Sequence, residues 1–326
     1  MTPGMPLAKP HLLPDYRKAA RQDAQSKSEQ EVEGVVYIET DVRYEEPSGD
    51  VSTWAKGPLN EIRFLRRAVE GQYDSRDSSM LLGLVLWAPM DQPTPVLEEY
   101  LRLVEHAAGA ETWARVKGFR FLLQFIHDEA KFKQLVRCDT FLANLKVLGL
   151  RGFSFDVGVD QRSGGAWQLE MVAKAMEMAQ WEVSGESKIV FIVNHLCKPD
   201  FEADEHEFKR WCDAISSMSR IPSTFMKLSG AFSELPSNLR DTKQIALHLQ
   251  PWIKHLLQSF GPGRITFGSD WPVCNVGGPL GEESWVAWRD VVSAVLDDEL
   301  YGLTDGDRQS IWSGTARKAY RLSDFT

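Results

Sequence analysis

The chain has 326 residues with 43% hydrophobic and 25% charged content, which is typical of a globular protein with a sizeable core. Its formal net charge of −9 argues against nucleic acid or an anionic membrane as the main partner. The four cysteines lack CxxC spacing, and no apolar run reaches the ~18 residues of a membrane span. We therefore expect a cytoplasmic protein with reduced thiols that acts on a small molecule.

Alternation of short and long segments is the main organisational feature. Residues 1–33 are polar, carry no strand-like run and are expected to form an irregular N-terminal segment. Apolar, β-rich runs then recur at Gly34–Asp41, Met80–Pro89, Val116–Leu123, Phe153–Val159, Lys188–Leu196, Phe225–Gly230 and Arg264–Asp270. Stretches with helical spacing separate or follow them, at Pro58–Glu70, Pro95–Ala108, Lys131–Leu150, Trp167–Met178, Glu205–Met218, Thr242–Phe260, Glu282–Leu296 and Asp305–Tyr320.

This alternation predicts an α/β domain over residues 34–326, with parallel strands covered by helices. An open doubly wound sheet would usually carry a GxGxxG turn after its first strand, whereas the first run here ends in Glu-Thr-Asp. A closed (β/α)8 TIM barrel needs eight strands, and seven runs are present. Because a helical stretch follows the last run normally, we predict a TIM barrel that lacks its N-terminal first strand.

Polar residues at the ends of the apolar runs are the candidate site, since barrel active sites lie at the C-terminal ends of the strands. Any single residue of this kind could equally mark only the point where polar sequence begins. As a set they predict one pocket: Glu39, Asp41, Trp87, Arg120, Asp156, Asn194, His195, Lys227, Ser229, Ser269 and Asp270.

Three of these residues have the chemistry of an active site. Asp270, in ITFGSDWP, is either a general base acting on water or a cap for the following turn. His195, in VNHLCKP, would bind a metal, polarise a carbonyl or serve as a hydrogen-bonded core residue. Arg120 would be costly to bury unpaired, so it needs a substrate or Asp156 as its partner.

Other residues have weaker claims to substrate binding. Glu39 ends the first run and is ambiguous. Trp271, with Trp54 and Trp87, would either wall a polar pocket or pack in the core. No GxSxG, HExxH or P-loop pattern occurs in the sequence.

Several motifs together resemble the amidohydrolase-related (amidohydrolase 2) family, and within it the lactone hydrolases of the L-rhamnono-γ-lactonase type. They are NHLCKP at 194–199, KLSG at 227–230 and FGSDWPV at 267–273, with KGFR at 117–120 and GTARKAYRL at 314–322. The resemblance extends from about Gly34 to the C-terminus. It implies a barrel of the amidohydrolase superfamily that hydrolyses lactones, including sugar-acid lactones and pyrone dicarboxylates. It also implies that Asp270 activates water, that His195 polarises the carbonyl or binds a metal, and that Arg120 orients the substrate.

One element of that family pattern is missing. Family members begin with a strand ending in His-x-His, which supplies metal ligands or substrate contacts, and this chain has no His-x-His. The loop-like start, MTPGMPLAKPH, favours truncation over a true loss of the strand. One divalent metal such as zinc, held by His195 and Asp270 alone, would be undercoordinated, because catalytic zinc usually has three protein ligands.

We therefore predict a hydrolase that opens a small sugar-acid lactone, with Asp270 and His195 as catalytic residues. Glu39, Arg120, Asp156 and Trp271 are predicted to bind the substrate. The alternatives are a metal-dependent decarboxylase of the same superfamily and an inactive truncated barrel. Two unpaired sheet edges would favour association, with a homodimer as one candidate assembly.

Overall fold

Seven parallel strands form one curled sheet in the computed structural model, which describes residues 7, 9–21, 31–181, 183, 185–236 and 238–323. Strand order in space is strand order in sequence, so each strand pairs with the next one along the chain. The strands are β1 Val35–Ile38, β2 Leu81–Trp87, β3 Val116–Phe121, β4 Ser154–Val157, β5 Val190–Val193, β6 Thr224–Leu228 and β7 Ile265–Phe267. Each coincides with one predicted run, and within the described ranges no strand joins β7 to β1. The predicted barrel lacking one strand is confirmed.

Helices follow the strands and cover the outside of the sheet. Within the described residues, no helix has the length and apolar character needed to cross a membrane. The helices are α1 Leu13–Ala19, α2 Val51–Trp54, α3 Lys56–Val69, α4 Asp77–Met80, α5 Thr94–Arg115 (interrupted at Gly109), α6 Glu129–Arg137, α7 Asp139–Leu150, α8 Gln161–Gly164, α9 Ala166–Gln180, α10 Glu205–Ser219, α11 Thr242–Phe260, α12 Val273–Gly277, α13 Ser284–Leu296, α14 Asp305–Gln309 and α15 Thr315–Ala319.

Two predicted helices differ from the observed ones. The stretch from 131 to 150 is divided at Cys138, which has extended backbone and caps α7 by accepting a hydrogen bond from the Phe141 amide at 3.4 Å. The stretch from 305 to 320 is two short helices joined by a π-helical segment, Ser310–Gly314. In both cases the apolar spacing is helical. Extended backbone at Cys138 divides the first helix, whereas in the second the backbone stays helical and only the hydrogen-bonding pattern changes.

The C-terminal chain fills the interior of the barrel. Ala319 and Tyr320 form an apolar cluster with side chains from three strands: Val85, Ile192 and Phe225. Gly83 on β2 leaves room for Leu322, because a Cβ at Gly83 would lie 2.8 Å from the Leu322 Cδ2. The polar residues at the strand ends therefore lie above a packed apolar plug.

Helix α1 packs across the gap between the two ends of the sheet. Its Tyr16, and Ala20 directly after it, are buried in an apolar cluster with residues from both sides of that gap. These are Val35 of β1 and Met80 before β2 on one side, and Trp271, Cys274, Trp285 and Val286 after β7 on the other. Its Arg17 pairs with Asp74 at 2.6 Å and with Asp77 at 3.2 Å. The segment expected to be irregular thus contains a helix that covers the seam, which limits exposure of the sheet edges.

Replacing Tyr16 with alanine tests how much this seam contributes to stability. The Tyr16 ring lies 5.5 Å from the Trp271 ring and 6.0 Å from the Trp285 ring, both edge-on. Removing a large buried aromatic side chain costs about 3 kcal/mol. We expect Tyr16→Ala to lower the free energy of unfolding by that amount in urea denaturation. Lys18→Ala, on the exposed side of the same helix, is the control and should change it by less than about 0.5 kcal/mol.

Candidate active site

Side chains from six strand ends meet at the mouth of the barrel. The contacts join strands that are two apart in the sheet, with one strand between them. Arg120 of β3 contacts Glu39 beyond β1, Lys227 of β6 contacts Asp156 of β4, and His195 beyond β5 contacts Asp270 beyond β7. Five of the six residues predicted for the site are therefore brought together.

Trp271 is the predicted site residue that lies apart from these contacts. Its ring packs edge-on against His11 at 5.3 Å and against Tyr16 at 5.5 Å, under the N-terminal helix. Trp54 and Trp87 pack against each other at 6.3 Å in the core between sheet and helices. The tryptophans were expected either to wall a polar pocket or to pack in the core. These contacts show packing, in the core for Trp54 and Trp87 and under the N-terminal helix for Trp271.

His195 lies on a left-handed turn that ends β5. Four consecutive residues, from His195 to Lys198, have φ values of 55°, 55°, 62° and 46°. This conformation costs an L-residue roughly 1–2 kcal/mol, so surrounding contacts must hold it. The Trp211 indole donates to the Leu196 carbonyl at 2.8 Å, and the Lys198 ammonium pairs with Glu234 at 3.0 Å. The turn brings the imidazole beside Asp270.

Gly230 makes room for that imidazole. Its φ is +70°, and a Cβ built there would lie 2.6 Å from the His195 Cβ and Cγ and 2.7 Å from Nδ1. Glycine alone lacks the atom that would collide with the ring. The glycine that follows Lys-Leu-Ser therefore fixes how closely β6 approaches the histidine.

The His195 imidazole is neutral at physiological pH. Burial lowers its pKa well below 6.5, and the positive charges of Lys227, Lys198 and Arg120 lower it further. Nδ1 lies 2.9 Å from the Ser229 hydroxyl oxygen, and Nε2 lies 3.5 Å from the Asp270 Oδ1. A neutral imidazole in this position can donate one N–H to a developing oxyanion.

The Asp270 carboxyl has an unusually high pKa for an aspartate. Burial raises that pKa to about 6, against the lowering effects of Lys198 and Arg120. The Ser233 hydroxyl donates to Oδ2 at 3.4 Å, and the Asp270 backbone is left-handed, with φ of 56°. Neutral pH is only slightly above this pKa, so the carboxyl is ionised and can still accept a proton readily, as a general base must.

The carboxylates of Glu39 and Asp156 accept hydrogen bonds from other residues of the chain. Glu39 accepts the Arg120 Nε at 2.5 Å and the Asp41 amide at 2.6 Å, and its side chain is fully buried. Asp156, also fully buried, accepts the Lys227 ammonium at 2.6 Å and the Tyr320 hydroxyl at 3.0 Å. Both were predicted to bind substrate, and both use their oxygens to hold neighbouring residues.

Several residues that contact the site had no role predicted from the sequence. Lys227 and Ser229 belong to the predicted set of strand-end residues, but no function was predicted for them. Lys198 lies in the motif NHLCKP, which contributes to the family resemblance. Tyr320 lies in the motif GTARKAYRL, but its contact with Asp156, 164 positions away, was not predicted.

The residues present do not fit a divalent metal. Within the described part of the chain, no three histidine, cysteine, aspartate or glutamate side chains are grouped so that they could hold one. His195 and Asp270 are the pair that comes together, and Lys227 and Lys198 place positive charge beside them. Catalytic zinc usually takes three protein ligands, so this donor set falls one short.

The chain is similar to amidohydrolases and to lactonases. The family model described as amidohydrolase matches residues 73–322. An L-rhamnono-gamma-lactonase from Scheffersomyces stipitis is 28% identical over 90% of this chain and 86% of its own length. An L-fucono-1,5-lactonase from Burkholderia multivorans is 28% identical over 69% of this chain and 70% of its own. The crystal structure of an amidohydrolase from Burkholderia multivorans with bound Zn has 25% identity and a TM-score of 0.61, covering 76% of each chain.

Substituting alanine at Gly230 tests the close approach to His195. The added methyl would strain a left-handed backbone and collide with the imidazole, so we expect a loss of about 3 kcal/mol or more in unfolding free energy. Gly49→Ala is the matched control, because its φ is +65° and nothing lies within 4 Å of the built Cβ. That control should cost about 1 kcal/mol from backbone strain alone. Equal losses, measured by chemical denaturation, would show that the collision is absent.

Proposed function

Because this chain belongs to the amidohydrolase family, we propose that it hydrolyses the ring ester of a small sugar-acid lactone with water activated by Asp270. The observation that carries the proposal is the pairing, at the strand ends, of a carboxylate with a raised pKa and a neutral imidazole. Relatives named as lactonases, which align with most of the chain, support the same reaction class.

The proposed reaction begins with proton transfer. Asp270 takes a proton from water, and the water oxygen attacks the ring carbonyl. The resulting tetrahedral oxyanion accepts a hydrogen bond from His195. When the intermediate collapses, the ring C–O bond breaks, and Asp270 returns its proton to the leaving hydroxyl. The products are one open-chain hydroxy acid and a regenerated carboxylate.

Ser229 has a positioning role in this scheme. Its hydroxyl lies 2.9 Å from Nδ1 of His195, so it can donate to that nitrogen. With Nδ1 accepting, the single ring proton resides on Nε2, which faces Asp270. The N–H is then directed at the same space as the attacking water.

Arg120 supplies hydrogen bonds to the substrate. Its Nε is committed to Glu39, but a guanidinium has five N–H donors in a fixed plane. Its side chain remains 13% exposed at the mouth. We assign it to orienting the ring hydroxyls of the lactone.

Metal-dependent decarboxylation is a weaker candidate. It relies strongly on a bound metal, and His195 and Asp270 supply two ligands where three are usual. Water activation by Asp270 needs no further ligand.

Asp270→Asn tests the base directly. We expect kcat/KM for a sugar-acid lactone to fall about 10³-fold, because the amide cannot accept a proton. In the unmodified enzyme, kcat/KM should fall as pH decreases through about 6, where the carboxyl becomes protonated. This acid limb should be absent from the residual activity of the variant. Asp213→Asn, at an exposed carboxylate on α10, is the control and should retain both rate and profile. Near-normal turnover by Asp270→Asn would contradict the assignment.

Treatment with a chelator tests whether the activity depends on a divalent metal. Since the donor set does not fit a divalent metal, we expect lactone hydrolysis to persist after dialysis against a strong chelator. The measurement is the rate of acid release, corrected for spontaneous ring opening. Loss of activity that added zinc restores would show that the enzyme binds a metal with ligands beyond His195 and Asp270.

A further inference from the structure

We infer that the site selects uncharged lactones and rejects those that carry a free carboxylate, a specificity set by Glu39 and Asp156. The inference rests on the proposed function and goes further, because it concerns the charge of the substrate. It follows from how positive charge is distributed at the mouth of the barrel.

Each cation near the catalytic pair already has a carboxylate partner within the chain. Arg120, Lys227 and Lys198 are the cations whose charge acts on both His195 and Asp270. Arg120 pairs with Glu39 at 2.5 Å and Lys227 with Asp156 at 2.6 Å.

Lys198 is paired twice. Its ammonium lies 3.0 Å from Glu234 and 3.5 Å from Asp160. Glu234 also receives Arg162 at 3.1 Å. The third cation is thus held in a network of its own, at the edge of the mouth.

Burial makes the Arg120–Glu39 and Lys227–Asp156 ion pairs costly to separate. The side chains of Glu39 and Asp156 are fully buried, and those of Arg120 and Lys227 are 13% and 11% exposed. A substrate carboxylate could recruit one of these cations only by displacing its partner, which would leave an unpaired charge inside the protein. That exchange is strongly unfavourable.

Asp270 adds a negative charge that none of these pairs cancels. Its own close contact is with His195 at 3.5 Å, whereas the three nearby cations are already paired with other carboxylates. A carboxylate on the substrate would therefore meet net repulsion. Sugar hydroxyls, in contrast, can accept hydrogen bonds from Arg120 without disturbing its pair with Glu39.

The same charge distribution favours product release. Hydrolysis converts a neutral ester into a carboxylate anion in a space that offers no uncommitted cation from this group. The substrate enters without charge, and the product leaves with one. Glu39 and Asp156 act through Arg120 and Lys227, so they are positioning residues for specificity.

The first test compares two lactones on the unmodified enzyme. One is a γ-aldonolactone, and the other is the γ-lactone of the aldaric acid with the same ring stereochemistry and a terminal carboxylate. We expect kcat/KM to favour the neutral lactone by about 100-fold. Raising salt from about 20 to about 500 mM, which shortens the Debye length from roughly 20 to roughly 4 Å, should increase kcat/KM severalfold for the anionic lactone alone.

The second test removes the negative charge that pairs with Arg120. In Glu39→Gln the guanidinium loses its neutralising partner, so kcat/KM for the anionic lactone should rise about tenfold relative to the neutral one. Glu61→Gln is the matched control. That buried carboxylate binds the Tyr37 hydroxyl and Thr40, and it has no contact with Arg120. Its ratio of kcat/KM values should equal that of the unmodified enzyme.

The outcomes separate the two proposals. If neither lactone is hydrolysed, the proposed function fails. If the anionic lactone is hydrolysed as well as the neutral one, or better and with a rate that falls with salt, the charge selectivity is wrong and the function stands. If Glu39→Gln does not fold, the charge selectivity is tested by measuring inhibition of the unmodified enzyme. The open-chain acid should then bind at least tenfold more weakly than the corresponding uncharged alditol, and equal or tighter binding of the acid would contradict the charge selectivity.

Discussion

Contacts between strands that are two apart in the sheet determine the whole mouth of the barrel. In a flat sheet such strands lie about 9.5 Å apart, and their side chains would point in parallel directions. Curling turns those side chains toward each other, which is how alternate strands of a barrel contribute to one layer. Glu39–Arg120, Asp156–Lys227 and His195–Asp270 each span one intervening strand. Charged groups that would be costly to bury singly thus become partners because the sheet is curved.

Much of this arrangement could be predicted from the sequence, because it depends on local pattern. Seven β-rich runs and the helical stretches between them appear in the structure, and counting the runs predicted the seven strands found in the described part of the chain. His195, Asp270 and Arg120 stood out because each ends or follows an apolar run. Positions at the C-terminal ends of barrel strands share one face, so chemistry could be inferred without knowing a single distance.

What the sequence could not predict depends on register and on distant contacts. Glu39 and Asp156 looked like substrate ligands because they are carboxylates at strand ends. Which cation each would pair with depends on the curvature and stagger of the sheet. Helix α1 was missed because seven residues containing a proline give too short a pattern to distinguish a helix from irregular chain. The Tyr320 contact with Asp156 has no local signature at all.

The left-handed turn that carries His195 also bears on how the protein folds. No residue from His195 to Lys198 is a glycine, so none has an intrinsic preference for the conformation that it adopts. The turn becomes stable only when Trp211 of α10 and Glu234 beyond β6 are already in place to hold it. We expect the His195 imidazole to reach its final orientation beside Asp270 only after the surrounding sheet and helices have assembled, late in folding.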